Sequence, residues 1–156
     1  MNRIARKIAI GLTFVAVSGA ALAQAKPEDL IRWRQSAYQT MAWNMGRIKA
    51  NLEGSYNKDQ VAQAANVIQA LANSGMGALY AAGTDKGKGW HDTRVKPEFF
   101  KEGDKVKELA VAYNKEANEM AKVAAGGDVA AAKTQFGKLG ESCKACHDKF
   151  RMKEDH

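Results

Sequence analysis

Two thiols and an imidazole lie within five residues of one another near the C-terminal end of the chain. In the stretch ESCKACHDKF (141–150), Cys143 and Cys146 are the only cysteines of the 156-residue sequence, and His147 follows the second one directly. Four kinds of chemistry use such a cluster: a structural zinc site, a dithiol redox couple, a disulfide, and an attachment site for haem c. The rest of the sequence has to discriminate among them.

The ligand count disfavours zinc, and the surrounding pattern disfavours a redox couple. A closed zinc site needs about four nitrogen or sulfur ligands. The other histidines are His91, in a glycine-rich stretch, and His156 at the terminus, and neither belongs to a second ligand pair. A thioredoxin-like dithiol should follow a strand, whereas this motif comes near the end of a long helical pattern. Because C-x-x-C-H is itself the haem c attachment signature, we favour that interpretation.

The N-terminal residues have the three parts of a secretory signal peptide. The basic segment MNRIARK is followed by the apolar run 8–17 and then by SGAALAQA. The apolar run is too short to cross a bilayer, which takes about 20 residues. We therefore predict a signal peptide over residues 1–23, cleaved after Ala23, with cleavage after Ala25 as the second choice and no permanent membrane anchor.

The remaining segment, residues 24–156, has the size and charge of one small solvated domain. Its 133 residues suffice for one compact domain with a single hydrophobic core. The signal segment carries three basic residues and no acidic one, so its removal lowers the net charge from +7 to +4. The charges are spread along polar helix faces without the clustered aromatic residues of nucleic-acid-binding proteins, so we predict no nucleic-acid partner.

Apolar residues recur every three or four positions in four segments, which is the period of an amphipathic helix. Pro27 suits a first helical position, and Asn57 and Asp128 suit helix N-caps. The predicted helices cover residues 26–52, 57–74, 102–125 and 128–150. A glycine-rich segment, 75–101, separates the second helix from the third, and a long loop in a small domain is more often functional than idle.

The apolar stripes of these helices predict an all-α, antiparallel four-helix bundle. On the first helix the stripe is Leu30, Trp33, Ala37, Met41, Met45, Ile48 and Leu52. On the last it is Val129, Ala132, Phe136, Leu139, Cys143, His147 and Phe150. At 3.6 residues per turn the two cysteines and the histidine of the motif share one inward face.

The motif and its position resemble those of cytochrome c′, in class II of the c-type cytochromes. The resemblance covers the chain after the signal segment, and its specific stretches are KPEDLIRWRQSA, TRVKPEF and GESCKACHDKFR. It implies up-down-up-down topology, a periplasmic location, and one covalent haem c per chain near the C-terminal helix. A thiol can add across each haem vinyl group, so Cys143 and Cys146 are the predicted attachment points and His147 the axial iron ligand.

The resemblance also implies roles for residues around the haem. Arg34 and Gln35 resemble the first-helix pair that approaches the propionates, and a guanidinium suits a carboxylate. Thr93 resembles part of a loop at the haem edge, with an ordinary surface loop as the alternative. Arg151 matches the family arginine that follows the aromatic residue after the axial histidine, on the proximal side. Tyr38 matches the position facing the distal side of the iron.

Because low-spin relatives carry methionine where this chain has Tyr38, the resemblance implies five-coordinate iron. Such a site binds small gases such as NO and CO, or transfers electrons to an unidentified redox partner. The alternative is a low-spin electron carrier with Met41 as sixth ligand, and Tyr38 could instead fill the core. Tyr80 and Met76 either line the haem or pack at a helix end. No distal acid–base group is evident, so we predict no enzyme activity, and the family implies a homodimer formed through the first two helices.

Overall fold

Four long helices account for most of the chain. The structure is a computed structural model that describes residues 25–153, so the predicted signal peptide and His156 lie outside the described part. The helices are α1 (Pro27–Glu53), α2 (Lys58–Ala72), α3 (Gly103–Gly126) and α4 (Val129–Phe150), and two short 3₁₀ helices, Met76–Leu79 and Pro97–Phe100, lie between α2 and α3. Within residues 25–153, no helix has the length and apolar character needed to cross a membrane.

The helix ends follow from local chemistry. Pro27 occupies the first turn of α1. The side chains of Asn57 and Asp128 accept hydrogen bonds from backbone N–H groups in the first turns of α2 and α4. Gly127 ends α3 with a φ of 81°, in the left-handed region that favours glycine. The predicted caps are confirmed, and each predicted helix boundary lies within two residues of the observed one.

The helices form an antiparallel up-down-up-down bundle whose core fills one end. Neighbouring helices in sequence pack along each other, whereas α1 and α4 meet over a much shorter stretch. The core draws on the C-terminal halves of α1 and α3, on α2, and on the N-terminal half of α4; its members are Ile48, Val61, Ala64, Ala65, Ile68, Ala72, Ala117, Met120, Ala121, Ala124, Ala132 and Leu139. The cysteine motif lies at the opposite end, and the predicted fold is confirmed.

Three residues that were predicted to face inward are exposed instead: Trp33, Val129 and, in the cysteine motif, His147. Trp33 is 52% exposed and Val129 is 43% exposed. Val129 is the first residue of α4, next to the solvated α3–α4 turn. Near the start of α1 the buried positions are Leu30, Ile31, Arg34 and Gln35, because this part of the helix packs against the α2–α3 segment (residues 73–102) rather than against another long helix. Two of those four residues are polar, so the apolar stripe predicted Leu30 correctly but could not locate the whole buried face.

Candidate haem-binding site

The C-terminal half of α4 carries the cysteine motif on a face that no helix fully covers. Between buried Leu139 and buried Phe150, no residue of α4 is fully buried: the two cysteines are half-buried and the histidine is exposed. The predicted inward face therefore holds Cys143 and Cys146, but His147 reaches its open edge. Both thiols are free.

Desolvation by the surrounding protein disfavours the charged forms of the three motif side chains. Burial raises the pKa of the Cys143 thiol, with the neighbouring Ser142 hydrogen bond opposing it, and burial also raises the pKa of the Cys146 thiol. Burial lowers the pKa of His147, against the opposing effect of Asp148. A neutral imidazole keeps a nitrogen lone pair available for a metal. Within residues 25–153 no cluster of three or more histidine, cysteine, aspartate or glutamate side chains could hold a metal ion, so the zinc alternative has no ligand set there.

Three tyrosine rings lie around the thiols. Tyr38 comes from α1, Tyr80 follows the first 3₁₀ helix, and Tyr113 comes from α3. Burial is the main reason why the pKa of each phenol is raised, and a nearby cysteine contributes in every case. Tyr38 is nevertheless 41% exposed. The rings and the thiols therefore border one partly accessible region, the candidate cavity at this end of the bundle.

This lining fits haem c. The two thiols lie one helical turn apart, where they can form thioethers with neighbouring vinyl groups of one ring. The imidazole beside them is neutral, and the facing walls are neutral aromatic rings. α1 and α4 pack against each other over only a short stretch, which is compatible with a flat group between them.

Arg34 of α1 makes hydrogen bonds to the α2–α3 segment. Its guanidinium is 2% exposed and donates to the carbonyl oxygen of Leu79 at 3.3 Å, to Thr84 Oγ1 at 2.8 Å and to Thr93 Oγ1 at 2.6 Å. It also donates to the carbonyl oxygen of Thr84. The structure thus brings together two predicted haem-edge residues, Arg34 and Thr93, by a direct hydrogen bond. Their contact with propionates stays a prediction.

Gln35 holds the same segment at a second point. Its side-chain oxygen accepts from the backbone N–H of Trp90 at 2.7 Å, and its amide donates to the carbonyl oxygen of His91 at 2.9 Å. A Cβ on Gly89 would lie 2.5 Å from the Gln35 oxygen and 2.7 Å from the backbone nitrogen of Arg32, which cannot move aside. Glycine is therefore required at position 89, and the role of Gln35 toward a propionate stays a prediction.

Arg151 follows the last residue of α4 and lies beside His147. Its backbone N–H donates to the carbonyl oxygen of His147 at 2.9 Å, and it pairs with Val95 of the α2–α3 segment. A surface cleft of about 680 Å³ runs beside the histidine; its lining is Arg94, Lys144, His147, Asp148, Arg151, Met152 and Lys153. The predicted proximal role of Arg151 is compatible with this position.

The thioether of Met41 is engaged by one of the three tyrosines. Met41 is 7% exposed, and its sulfur accepts a hydrogen bond from the Tyr113 hydroxyl at 3.0 Å. Sequence reasoning missed this contact and the place of Tyr113 in the cavity wall. The only available signal was that Tyr113 continues the apolar stripe of α3 toward the end of the bundle that carries the motif.

A helical bundle with two thiols, one imidazole and an aromatic cavity at one end defines a class of protein: bundles that carry haem c on their last helix. The family model for cytochrome C′ matches residues 29–151. The chain is 67% identical over 131 residues to cytochrome c′ of Rhodocyclus tenuis, covering 83% of this chain and 98% of the relative. It is 51% identical over 154 residues to cytochrome c′ of Allochromatium vinosum, covering 98% and 100%. The chain belongs to the cytochrome c′ family, and its cofactor is haem c.

Solved structures agree with this assignment. A cytochrome c′ with ligand-controlled dimer dissociation shares 56% identity with a TM-score of 0.81, covering 84% of this chain and 100% of that chain. Cytochrome c′ from Thermochromatium tepidum shares 53% identity with a TM-score of 0.80 over the same shares of the two chains. The four-helix bundle is therefore the family fold.

Proposed function

We propose that the protein binds small diatomic gases, NO and CO, at a haem iron whose only ligand from the chain is His147, and that it also exchanges electrons with a redox partner. The observation that carries this proposal concerns two residues of α1. Tyr38 lines the cavity, and the sulfur of Met41 accepts a hydrogen bond from the Tyr113 hydroxyl. Neither residue offers the iron a ready sixth ligand. When bound, the haem supplies an iron centre that binds neutral diatomic ligands or exchanges one electron.

The residues of the chain have separate roles in attaching the haem, binding its iron and lining the site. Cys143 and Cys146 would hold the haem covalently, and the His147 imidazole would supply a nitrogen ligand to its iron. Tyr38 is neutral at physiological pH, as any phenol with a pKa of about 10 is, so it adds no charge to the distal wall. Arg34, Gln35 and Thr93 border the haem edge and Arg151 the proximal side.

A relative of the same fold supports the gas-binding assignment. Cytochrome c prime from Alcaligenes xylosoxidans has been solved as nitric oxide complexes of two of its mutants. These structures share 30% identity with this chain and cover 83% of it and 98% of their own chains, with TM-scores of 0.73 and 0.74. NO binding in this fold supports the same chemistry here.

The low-spin electron carrier with Met41 as sixth ligand is less well supported. Its sulfur would have to leave the Tyr113 hydroxyl and a buried position in α1. Enzymatic turnover is also disfavoured, because a peroxidase-type site needs a distal acid–base group near neutral pH, whereas the Tyr38 phenol has a raised pKa. We infer a non-enzymatic protein.

Location and assembly complete the proposal. Export through the 1–23 signal peptide places the protein in the periplasm, where a soluble redox partner or a gas can reach it. A homodimer through α1 and α2 is supported by exposed apolar side chains on both helices, Trp43 and Val67. It is also supported by the relative whose dimer dissociates under ligand control. We infer no nucleic-acid partner.

The optical spectrum of the ferric and ferrous protein, with and without CO, tests the coordination. We expect a high-spin, five-coordinate ferrous spectrum that converts to a CO complex, and we expect replacement of His147 to abolish the native spectrum. A low-spin ferrous spectrum that Met41→Leu converts to high-spin would overturn the proposal in favour of the electron carrier.

Mass spectrometry of the denatured protein tests the attachment. One haem should remain on the peptide that contains Cys143 and Cys146, and a Cys146→Ala variant should retain only one thioether. Haem that extracts completely from the parent protein into acidified organic solvent would contradict covalent attachment.

A further inference from the structure

One hydrogen bond joins the predicted distal residue to the α2–α3 segment. The hydroxyl of Tyr80 donates to the hydroxyl of Tyr38 at 2.9 Å. The two residues are 42 positions apart in sequence, so the bond closes a gap between α1 and the start of the long connection. Among the described residues, Tyr80 is the hydrogen-bond partner of the Tyr38 side chain.

The Tyr80 ring is fixed on both faces. The guanidinium carbon of Arg34 lies 4.7 Å from the ring centroid on one side. Phe99 stacks on the ring at 4.4 Å with an interplanar angle of 25°, and Phe99 meets Phe150 of α4 edge-on at 5.6 Å. Because Arg34 is itself held by Thr84 and the neighbouring backbone, Tyr80 cannot readily move.

The Tyr38 ring has the opposite character. Its helix neighbours Arg34, Gln35 and Met41 are buried, while Tyr38 itself is 41% exposed. A ring at the edge of a cavity can rotate about its side-chain torsions, and the hydroxyl pair is the contact that opposes this rotation. The pair therefore joins a fixed phenol to a movable one.

We propose that Tyr80 is a positioning residue that latches Tyr38 over the distal side of the haem iron, and that entry of CO or NO on that side breaks the Tyr80–Tyr38 hydrogen bond. The inference rests on the proposed function, since it takes the cavity beside Tyr38 as the place where a ligand enters. The hydrogen bond adds to the steric barrier of the Tyr38 ring, because an entering ligand must also separate the Tyr38 hydroxyl from the Tyr80 hydroxyl.

Flash photolysis of the ferrous CO complex measures this barrier. Tyr80→Phe keeps the ring, its stacking and its cation contact but removes the donor. We expect CO to associate about five-fold faster, the equivalent of about 1 kcal/mol in the barrier, which is the usual scale of one net hydrogen bond. Tyr38→Phe should give a similar increase, and the double variant should be no faster than either single variant, because all three lack the same bond.

A matched control and a spectroscopic readout separate positioning from a general effect of the substitution. Tyr56→Phe also removes a phenol hydroxyl, one that has no hydrogen-bond partner among the described residues, and should leave the rate unchanged. In ultraviolet resonance Raman spectra, CO binding to the parent and to Tyr56→Phe should shift the tyrosine bands that report hydrogen bonding. Tyr80→Phe and Tyr38→Phe should lack that shift.

The results that overturn the latch are distinct from those that overturn the proposed function. A five-coordinate parent in which Tyr80→Phe leaves the CO rate and the Raman shift unchanged rules out the latch alone. So does a double variant whose acceleration equals the product of the two single effects. A parent with six-coordinate, low-spin ferrous iron overturns both proposals, and the optical spectrum identifies that case before any variant is made.

Discussion

Replacing Thr84 by valine should destabilise the protein strongly, although this residue lies in a loop. Thr84 is fully buried. Its Oγ1 accepts a hydrogen bond from Arg34 at 2.8 Å and donates one to the carbonyl oxygen of Ala81 at 2.8 Å. A hydrogen bond to a charged group contributes about 1.5–3 kcal/mol and a neutral one about 1 kcal/mol. Because Arg34 keeps its other partners, we expect the free energy of unfolding to fall by about 2–4 kcal/mol, a large part of the usual 5–15 kcal/mol.

Urea unfolding of the haem-loaded protein, followed by far-ultraviolet circular dichroism, measures this change. Thr134→Val is the matched control, because Thr134 makes a single hydroxyl bond, to the carbonyl oxygen of Ala130 at 3.0 Å, on an exposed face of α4. We expect it to stay within about 0.5 kcal/mol of the parent. If Thr84→Val also stays within that margin, the Arg34 network does not hold the α2–α3 segment, and the reasoning is wrong.

Three further predictions concern the cavity. Tyr38→Ala should speed CO association by about ten-fold, equivalent to about 1.4 kcal/mol of barrier, because it removes the ring as well as the hydroxyl; an unchanged rate in flash photolysis would show that Tyr38 is not at the distal side. Met41→Leu should leave the optical spectrum unchanged and cost less than about 1.5 kcal/mol in urea unfolding, since the volume is conserved; a change of spin state would contradict this. Burial raises the pKa of Tyr113 above its ordinary value of 10.0, so the folded phenol keeps its proton where the unfolded one loses it. The contribution of Tyr113 to the free energy of unfolding is then fully present below about pH 10 and decreases as the pH rises above that value. Tyr113→Phe should lose about 1 kcal/mol less than the parent between about pH 9 and pH 11 in urea unfolding, and equal losses would refute this assignment.

The helices and the arrangement of the motif side chains could be predicted because both depend on residues that are close together in the chain. Cap residues such as Asn57 and Asp128 define helix starts through bonds to the adjacent turn, and C-x-x-C-H needs only one turn of helix to bring its side chains together. The buried face at the start of α1 could not be predicted in this way. Arg34 is buried because a distant loop supplies its acceptors, and Trp33 is exposed because that loop, rather than a helix, covers this part of α1.

The contacts inside the cavity between residues far apart in sequence could not be predicted from local patterns. The Tyr38–Tyr80 and Met41–Tyr113 contacts join residues 42 and 72 positions apart, and no periodic pattern encodes which phenol meets which partner. The pattern of α1 placed Tyr38 and Met41 close to one face. It could not show that the sulfur of Met41 is already engaged, and this engagement is the main argument from the structure against a methionine ligand.

The burial of Arg34 also bears on where the haem propionates lie. Burial lowers the pKa of its guanidinium, and the effects of Tyr80, Tyr38 and Asp85 oppose that shift. Within residues 25–153 no carboxylate lies at ion-pair distance from it, so its positive charge is satisfied by neutral oxygen atoms. A buried charge without a counter-charge is costly, and an apolar residue of similar size would avoid that cost. A propionate at the haem edge would supply the missing negative charge, which gives a physical reason for an arginine at position 34 and supports the propionate role proposed for it.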